Sequence, residues 1–245
     1  MCMLLGFSAD KRYEIGKVAA SFFRNSNRHP HGWGIGIYDN DLTMIKQPCA
    51  AYKSEYAKNI TAFISARLAI AHIRYATVGK KSYLNTHPFI QDINNTEWLL
   101  AHNGSIPLSV LNTVNGYGET DSERILAYLE KELSNGSKTV DITDINVKIK
   151  CIESMILNLS QYGKLNLLIS DGEYLYIHCN YINSLYIYRA KGLVFFSTKP
   201  LVDVLYRNQW KNVQLNTLFV YKNGAKIYQG KAHENEYIKK EIKLA

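Results

Sequence analysis

A cysteine stands second in the chain, at the start of the apolar stretch 1–7. If the initiator Met1 is removed, Cys2 carries a free α-amino group beside its thiol. A thiol is mostly protonated at neutral pH, whereas an α-amino group titrates at about 8 and can accept the thiol proton. Cys2 is therefore a candidate nucleophile that carries its own base. The alternative is that Cys2 is a buried apolar residue of a first strand.

Polar residues follow two apolar stretches that are typical of buried strands. Arg74 follows the stretch 68–73, and a second such stretch ends just before a His-Asn-Gly tripeptide that contains Asn103 and Gly104. Arg74 can clamp a carboxylate, and the Asn103 amide with the Gly104 N–H can stabilise an oxyanion. Asp121, at the start of a predicted helix, can hold an ammonium group. A substrate with both a carboxylate and an ammonium is an α-amino acid.

Glycine occupies alternate positions of a predicted strand over residues 32–38, which contains Trp33 and Gly34. Glycine weakens a strand and usually marks the close approach of another backbone or a ligand. The spacing therefore leaves two interpretations open, tight packing between sheets or the floor of a pocket.

The remaining pattern predicts two packed sheets covered by helices, a layered sandwich of helices and strands. Thr120 and Glu123 have the spacing of a capping box, and Asp144 is a second candidate helix cap. The predicted elements are helices over 13–23, 54–64, 120–136 and 144–159, strands over 165–170, 174–179, 185–188 and 193–197, and a hairpin of 219–221 with 227–228 that turns near 223–224.

The composition indicates ordinary globular material. The chain has 245 residues, of which 47% are hydrophobic and 20% charged, and we expect one domain over residues 1–245. No stretch reaches the roughly 18 apolar residues of a membrane span, and a signal peptide is not evident. We therefore expect a cytoplasmic protein with no membrane partner.

The cysteines and the net charge bear on cofactors and partners. The four cysteines, Cys2, Cys49, Cys151 and Cys179, form no CxxC pair, so we expect no metal, no other cofactor and no disulfide. The net charge of +8 is compatible with nucleic-acid binding, but the lysines are scattered and the basic cluster at 239–243 includes a glutamate. We therefore expect no nucleic-acid partner.

Five short motifs occur in an order that resembles the class II glutamine amidotransferases of the N-terminal nucleophile hydrolase superfamily. They are Cys2 and the stretches 72–77, 85–88, 102–104 and 118–122. The His-Gly-Trp-Gly stretch at 31–34 is similar to the stand-alone group of these domains, which includes the amidohydrolase of ergothioneine biosynthesis. The resemblance implies an α+β fold, the four-layer αββα sandwich of that superfamily.

The resemblance also implies a role for each matched residue. Cys2 would be the nucleophile and its α-amine the general base. Asn103 and Gly104 would bind the oxyanion, Arg74 the substrate α-carboxylate and Asp121 the substrate α-ammonium. Further candidates match positions in or near the family's pocket, and they are Thr77, His87, Trp33, Gly34 and Tyr75.

Three positions depart from or add to the family pattern. His31 stands where many relatives have an acidic residue, and Val78 where amidotransferases with a synthase domain often have histidine. These differences bear on the substrate rather than on the nucleophile. His72 lies inside the strand before Arg74, and we expect it to be a structural, hydrogen-bonded histidine.

Three functions follow from this resemblance. The first is hydrolysis of the γ-carboxamide of glutamine through a thioester, with ammonia passed to an unknown acceptor, such as a separate synthase subunit. The second is hydrolysis of a larger γ-glutamyl amide. The third is a non-catalytic protein of the same fold, which applies if Met1 is retained. A homo-oligomer is compatible with each of them.

Overall fold

A computed structural model describes residues 2–114, 116, 118–136 and 143–239, apart from the side chains of residues 135 and 136. The part of the chain that it describes forms thirteen β-strands and four α-helices. The strands, in chain order, are β1 (Met3–Glu14), β2 (Trp33–Tyr38), β3 (Leu42–Gln47), β4 (Ser65–Ile73), β5 (Phe89–Ile93), β6 (Thr96–Ser105), β7 (Lys164–Ser170), β8 (Leu175–His178), β9 (Tyr186–Ala190), β10 (Leu193–Ser197), β11 (Trp210–Asn212), β12 (Phe219–Lys222) and β13 (Ala225–Gln229). The helices are α1 (Gly16–Arg24), α2 (Glu55–Phe63), α3 (Asp121–Gly136) and α4 (Ile145–Ser160).

The strands form two antiparallel sheets that pack face to face. The first has seven strands in the order β11-β9-β10-β1-β4-β2-β3, and the second has six in the order β13-β12-β8-β7-β6-β5. One apolar cluster joins the first sheet to α1 and α2, a second joins the other sheet to α3 and α4, and a third lies between the sheets. The layers are therefore helices, sheet, sheet and helices, which confirms the predicted αββα sandwich.

The alternation along β1 decides which side chains face the second sheet. Met3 and Leu5 point to the helices α1 and α2, whereas Leu4 points between the sheets. Successive side chains of a strand point to opposite faces. Cys2, two residues before Leu4, therefore lies at the end of the row that faces the second sheet.

The glycines of β2 allow the two sheets to pack closely. A Cβ added at Gly34 would overlap the carbonyl oxygen of His87, and one at Gly36 would overlap the side chain of Leu99. Tight sheet packing is thus what the glycine spacing reflects here. Trp33 lies on the opposite face of β2, fully buried among residues of the helix-side core, so the structure does not place its ring in a pocket between the sheets.

The second half of the chain follows the predicted pattern closely. The four strands predicted between residues 165 and 197 correspond to β7, β8, β9 and β10, and the predicted hairpin is β12 with β13. Asn223 and Gly224 form its turn with φ values of 51° and 75°, the left-handed conformation that these two residue types favour. Short-range signals were sufficient in this region.

The first helix begins later than the prediction over 13–23. β1 continues to Glu14, and α1 spans Gly16–Arg24. The pairing of β1 with β4 is irregular between Ser8 and Tyr13. Because this irregularity interrupts the simple alternation, the end of the strand could not be recognised from hydrophobic spacing.

The two predicted helix caps differ in detail. Asp144 accepts a hydrogen bond from the Asn146 amide at 2.9 Å, as expected of a cap. Thr120 accepts one from the Glu123 amide at 3.4 Å, but the Glu123 carboxylate accepts from the Gly118 amide at 2.5 Å. The Glu123 carboxylate, which in a capping box bonds the amide of the cap residue, here bonds an amide of the loop before the cap. It therefore holds that loop to α3.

None of the helices within the described ranges is long and apolar enough to cross a membrane. Of the basic cluster at 239–243, only Lys239 is described; residues 240–243 lie outside the described residues, as does Met1.

The close contact at Gly34 predicts a specific loss of stability. Gly34→Ala should lower the free energy of unfolding by about 2 kcal/mol, because the added methyl group meets the His87 backbone and lies 2.6 Å from Lys46 Cβ. Gly6→Ala is the matched control: its methyl group would lie 3.1 Å from the movable Leu168 Cδ1, and we expect a smaller loss. Urea unfolding measures both variants, and equal losses would contradict the interpretation.

Candidate functional site

Cys2 is held at the edge of the layer between the sheets by the backbone of Tyr75. The Tyr75 amide donates a hydrogen bond to Cys2 Sγ at 3.3 Å, and the Cys2 thiol donates one to the Tyr75 carbonyl oxygen at 3.6 Å. The side chain is partly buried, and burial raises the pKa of the Cys2 thiol. A thiol with a raised pKa is protonated at neutral pH, so its use as a nucleophile requires a base.

Asn103 points into the same layer between the sheets as Cys2. Leu4 and Ala101 both belong to the apolar cluster between the sheets. Cys2 precedes Leu4 by two residues on β1, and Asn103 follows Ala101 by two on β6. The period-two alternation therefore turns both polar side chains toward the space between the sheets.

The amide of Asn103 has one satisfied end and one unsatisfied end. Its Oδ1 accepts a hydrogen bond from Lys164 Nζ at 3.2 Å. Its Nδ2 is buried and has no hydrogen-bond partner among the described residues. An unpaired buried donor costs roughly 1–3 kcal/mol, so a native structure that keeps one is a candidate for binding an acceptor there.

Gly104 is required by the approach of two other groups. A Cβ at this position would overlap the Lys164 carbonyl oxygen and the ring of His102. The backbone of β6 can therefore lie against β7 only with glycine at residue 104. This fixes the position of the Gly104 backbone next to the Asn103 side chain.

Arg74 extends from the end of β4 into a loop that folds over it. The guanidinium is buried and donates to the carbonyl oxygens of Val78 at 2.8 Å, Gly79 at 3.2 Å and Lys80 at 2.9 Å. The backbone amide of Arg74 also donates to the Gly32 carbonyl oxygen at 2.8 Å. These bonds hold the cation at the site and fix the loop around it.

Two residues that the sequence analysis did not select hold this loop in place. Glu119 accepts hydrogen bonds from the Lys80 amide at 2.8 Å and from Asn85 Nδ2 at 2.9 Å. Asn85 Oδ1 in turn accepts from the Glu119 amide at 2.8 Å. The hydrogen bond from the Lys80 backbone is the main cause of a lowered pKa at Glu119. Both residues lie inside or beside the family-like motifs, and this was the only sequence signal for them.

Asp121 begins α3 with its carboxylate oriented by backbone donors. Its Oδ2 accepts from the Ile106 amide at 2.7 Å, and its Oδ1 accepts from the Ser122 amide at 3.0 Å. His102 Nδ1 lies 3.8 Å from Oδ2 and 3.0 Å from Ser122 Oγ. Each carboxylate oxygen can accept a second hydrogen bond, so the oriented group retains the capacity to bind an ammonium.

His72 and His87 form a buried stack behind the site. Their ring centroids are 4.0 Å apart, and neither ring makes a hydrogen bond of normal geometry among the described residues. The backbone of His102 is the polar group beside the His72 ring, and it favours the protonated ring against the effect of burial. Burial lowers the pKa of His72 to about 3 and that of His87 well below its usual value. Both rings are neutral at physiological pH.

The remaining candidates lie on the outer side of the site. The Tyr75 ring is 42% exposed and contacts the rings of His29 and His31, at centroid distances of 5.9 and 5.1 Å. His31 Nδ1 accepts a hydrogen bond from the Ala76 amide at 2.9 Å. Thr77 is exposed in the same loop. Residues 29–31 therefore pack against the turn that contacts Cys2 and stabilise it.

Lys164 is a further site residue that sequence reasoning missed. It alternates with Leu165 and Leu167 on β7, together with Asn166. This alternation was the available signal, but it does not tell which partner the lysine meets. Within the described ranges, no group of three or more His, Cys, Asp or Glu side chains is placed to hold a metal ion.

Comparison with known proteins gives a family and several relatives. The sequence model described as class II glutamine amidotransferases matches residues 1–192. An uncharacterized protein of Methanocaldococcus jannaschii is 30% identical over 264 residues, covering 94% of this chain and 72% of the relative. A Haemophilus influenzae protein, provisionally named a glutamine amidotransferase, is 28% identical over 259 residues, covering 93% and 86%.

Solved structures share the fold. A Pseudomonas aeruginosa structure, described as a predicted glutamine amidotransferase, has a TM-score of 0.64 at 22% identity and covers 93% of this chain and 100% of its own. The Bacillus subtilis glutamine phosphoribosylpyrophosphate amidotransferase, complexed with ADP and GMP, has a TM-score of 0.70 at 17% identity and covers 95% of this chain and 49% of its own. At these identities the similarity concerns the fold alone.

The buried imidazoles predict how stability depends on pH. The folded-state pKa of His72 is about 3, below the value of about 6.5 in an unfolded chain. As the pH falls below about 6.5, the unfolded chain binds a proton that the folded chain excludes, so the free energy of unfolding decreases by up to about 1.4 kcal/mol per pH unit for each such histidine. His72→Phe removes one contribution and should give a shallower decrease. Urea unfolding between pH 7 and pH 4.5 measures it; identical slopes for both proteins would contradict it.

Proposed function

The chain belongs to the class II glutamine amidotransferases, and we propose that Cys2 is the nucleophile with which it hydrolyses the γ-carboxamide of glutamine. The observation that carries the proposal is the buried Nδ2 of Asn103, which has no hydrogen-bond partner among the described residues and shares with Cys2 the layer between the sheets. A carbonyl oxygen that becomes negative as the sulfur attacks is an acceptor suited to this donor.

The reaction begins with a proton transfer that the Cys2 environment makes necessary. Burial raises the pKa of the thiol, so the α-amine accepts its proton as the sulfur attacks the amide carbon. The amine then gives that proton to the leaving nitrogen, which departs as ammonia and leaves a thioester. Water attacks the thioester, a proton returns to the sulfur, and glutamate is released. The α-amine is free only after removal of Met1.

Two donors stabilise the negative oxygen in each attack. Asn103 Nδ2 supplies the side-chain donor and the Gly104 N–H supplies the backbone donor. Both are held by β6, whose position against β7 depends on glycine at residue 104. A fixed donor pair needs little reorganisation when the charge develops, which is the basis of oxyanion stabilisation.

The two charged groups recognise the amino-acid end of the substrate. Arg74 binds the α-carboxylate and Asp121 binds the α-ammonium, and the loop and backbone contacts described above fix both groups before substrate arrives. Tyr75 and Thr77 lie on the outer side of this pocket, and His87 lies buried behind it. Because Arg74 and Asp121 are already oriented, less entropy is lost when the amide is brought to the sulfur.

A groove next to Tyr75 favours a second candidate, hydrolysis of a larger γ-glutamyl amide. The groove has a volume of about 440 Å³, and Arg28, His29 and Lys199 contribute to its lining. His29 also contacts the Tyr75 ring. This basic groove could accept an anionic amine part of the substrate, in which case release of that amine is the purpose of the reaction.

Class II glutamine amidotransferase domains pass ammonia to a synthase domain or subunit. For this protein we propose one amidotransferase domain over residues 1–245 and an ammonia acceptor on a separate subunit. Whether glutamine or a γ-glutamyl amide is the substrate decides whether such a subunit is needed.

A thiol trap tests the nucleophile. The protein, treated with a diazoketone analogue of glutamine, should show by intact mass that Met1 is absent and that one adduct forms at Cys2. Cys2→Ala should form no adduct and should lose at least about 10³-fold in ammonia release, whereas Cys49→Ala, which changes another partly buried cysteine, should retain both. A mass that includes Met1, or no adduct on Cys2, would rule out both catalytic proposals. Activity on γ-glutamyl amides but not on glutamine would select the second candidate.

The oxyanion donor has its own test. Asn103→Ala should lower kcat for glutamine by about 10²- to 10³-fold, the typical cost of losing one such donor, with a much smaller change in KM. Asn166→Ala is the matched control, because Asn166 lies opposite Asn103 in the β6–β7 register and instead bonds Ser184 at 2.7 Å. It should lower stability but keep kcat within a few-fold. Steady-state kinetics measure both, and equal effects on kcat would contradict the assignment.

A further inference from the structure

A buried lysine contacts the proposed oxyanion site without a role in the mechanism above. Lys164 is the first residue of β7 and is 5% exposed. Its Nζ lies 3.2 Å from Asn103 Oδ1 and 5.1 Å from the centroid of the Tyr181 ring. Burying a lysine is costly unless it is well bonded, so this contact calls for an explanation.

The register of the two strands builds the contact. Asn103 is opposite Asn166, and Ser105 is opposite Lys164. Lys164 is therefore diagonal to Asn103 on the same face of the sheet, a separation that a long side chain can span. This face meets the first sheet. Leu168, four residues after Lys164 and therefore on the same face of β7, belongs to the apolar cluster between the sheets.

The chemistry of the two groups determines which way the Asn103 amide points. An ammonium only donates hydrogen bonds, so it must face the carbonyl oxygen of the amide. The Asn103 Nδ2 is then directed away from Lys164. A positive charge on the carbonyl side also polarises the amide, which strengthens the opposite N–H as a donor.

The charge of Lys164 persists at neutral pH despite its burial. Desolvation lowers the pKa of Lys164 to about 8, while the charges of Cys179 and Cys2 act in the opposite direction. The cationic form is therefore still the main form at pH 7.

We propose that Lys164 is a positioning residue of the oxyanion site, which fixes the orientation of the Asn103 amide and strengthens its Nδ2–H as a donor. The inference rests on the proposed function, because it requires that Asn103 bind the oxyanion. Lys164 does not contact the substrate; it acts through Asn103.

The test replaces the ammonium by an apolar group of similar length. Lys164→Met should lower kcat for glutamine by about 10- to 100-fold, less than the loss of a direct donor, and should leave KM within about threefold. Lys164→Gln, whose amide can donate a hydrogen bond without a charge, should have a kcat between those of the wild type and Lys164→Met. Lys46→Met is the matched control, since Lys46 is 9% exposed and bonds the Pro88 carbonyl oxygen at 3.4 Å; its kcat should stay within about twofold.

Alkylation of Cys2 by iodoacetamide separates a positioning role from a structural one, because this reaction forms no oxyanion. The rate should be the same within about twofold in the wild type and in Lys164→Met. Equal losses of alkylation and turnover would overturn the proposal, since Lys164 would then act on the thiol or on the fold. A rise in KM with unchanged kcat would overturn it in favour of direct substrate binding.

The wild type in the same assay distinguishes the two levels of inference. If it hydrolyses neither glutamine nor a γ-glutamyl amide, the proposed function fails and the role of Lys164 fails with it. If it is active and Lys164→Met is equally active, the role of Lys164 alone is overturned.

Discussion

The close contact between the two antiparallel sheets is the constraint on which the rest of the structure depends. Gly34 and Gly36 permit it, because a side chain at Gly36 would overlap Leu99 of the second sheet and one at Gly34 would overlap the backbone of His87, just before β5. With the sheets this close, strand alternation alone decides which side chains enter the layer between them. Cys2, which precedes β1, and Asn103 on β6 therefore both face this layer, although the chain separates them by about a hundred residues.

One end of that layer is polar, and its polar groups are incompletely satisfied. Asn103 Nδ2 and the rings of His72 and His87 are buried without hydrogen bonds of normal geometry among the described residues. Such groups oppose folding, while the apolar remainder of the layer around Leu4, Leu99 and Leu168 favours it. A stable core that tolerates an unsatisfied end is the usual compromise at a functional site.

The sequence predicted those features whose structure depends on residues close together in the chain. The apolar strands, the hairpin turn at Asn223 and Gly224, and the cap Asp144 all depend on neighbours in the chain. The identities of the candidate site residues came from a family resemblance, and the structure brings Cys2 and Asn103 to the same layer.

What could not be predicted depends on contacts between distant strands. The stacking of His72 on His87 joins the end of β4 to the segment just before β5, and no local pattern indicates this contact. The spacing of Trp33 and Gly34 could not tell a pocket from tight packing, since that depends on the backbone of residue 87. Lys164 was missed for the same reason: alternation gives its face, but only the β6–β7 register brings it to Asn103.

The environment of Cys2 links chemical competence to the start of the chain. Burial raises the pKa of the thiol, and its hydrogen bonds within the described ranges are with the backbone of Tyr75, which supplies no base. Burial lowers the pKa values of His72 and His87, whose rings stack on each other. In the proposed reaction the α-amine of Cys2 accepts the thiol proton. In that mechanism a chain that retains Met1 would hold this amine in a peptide bond, so the thiol would lack its proposed base.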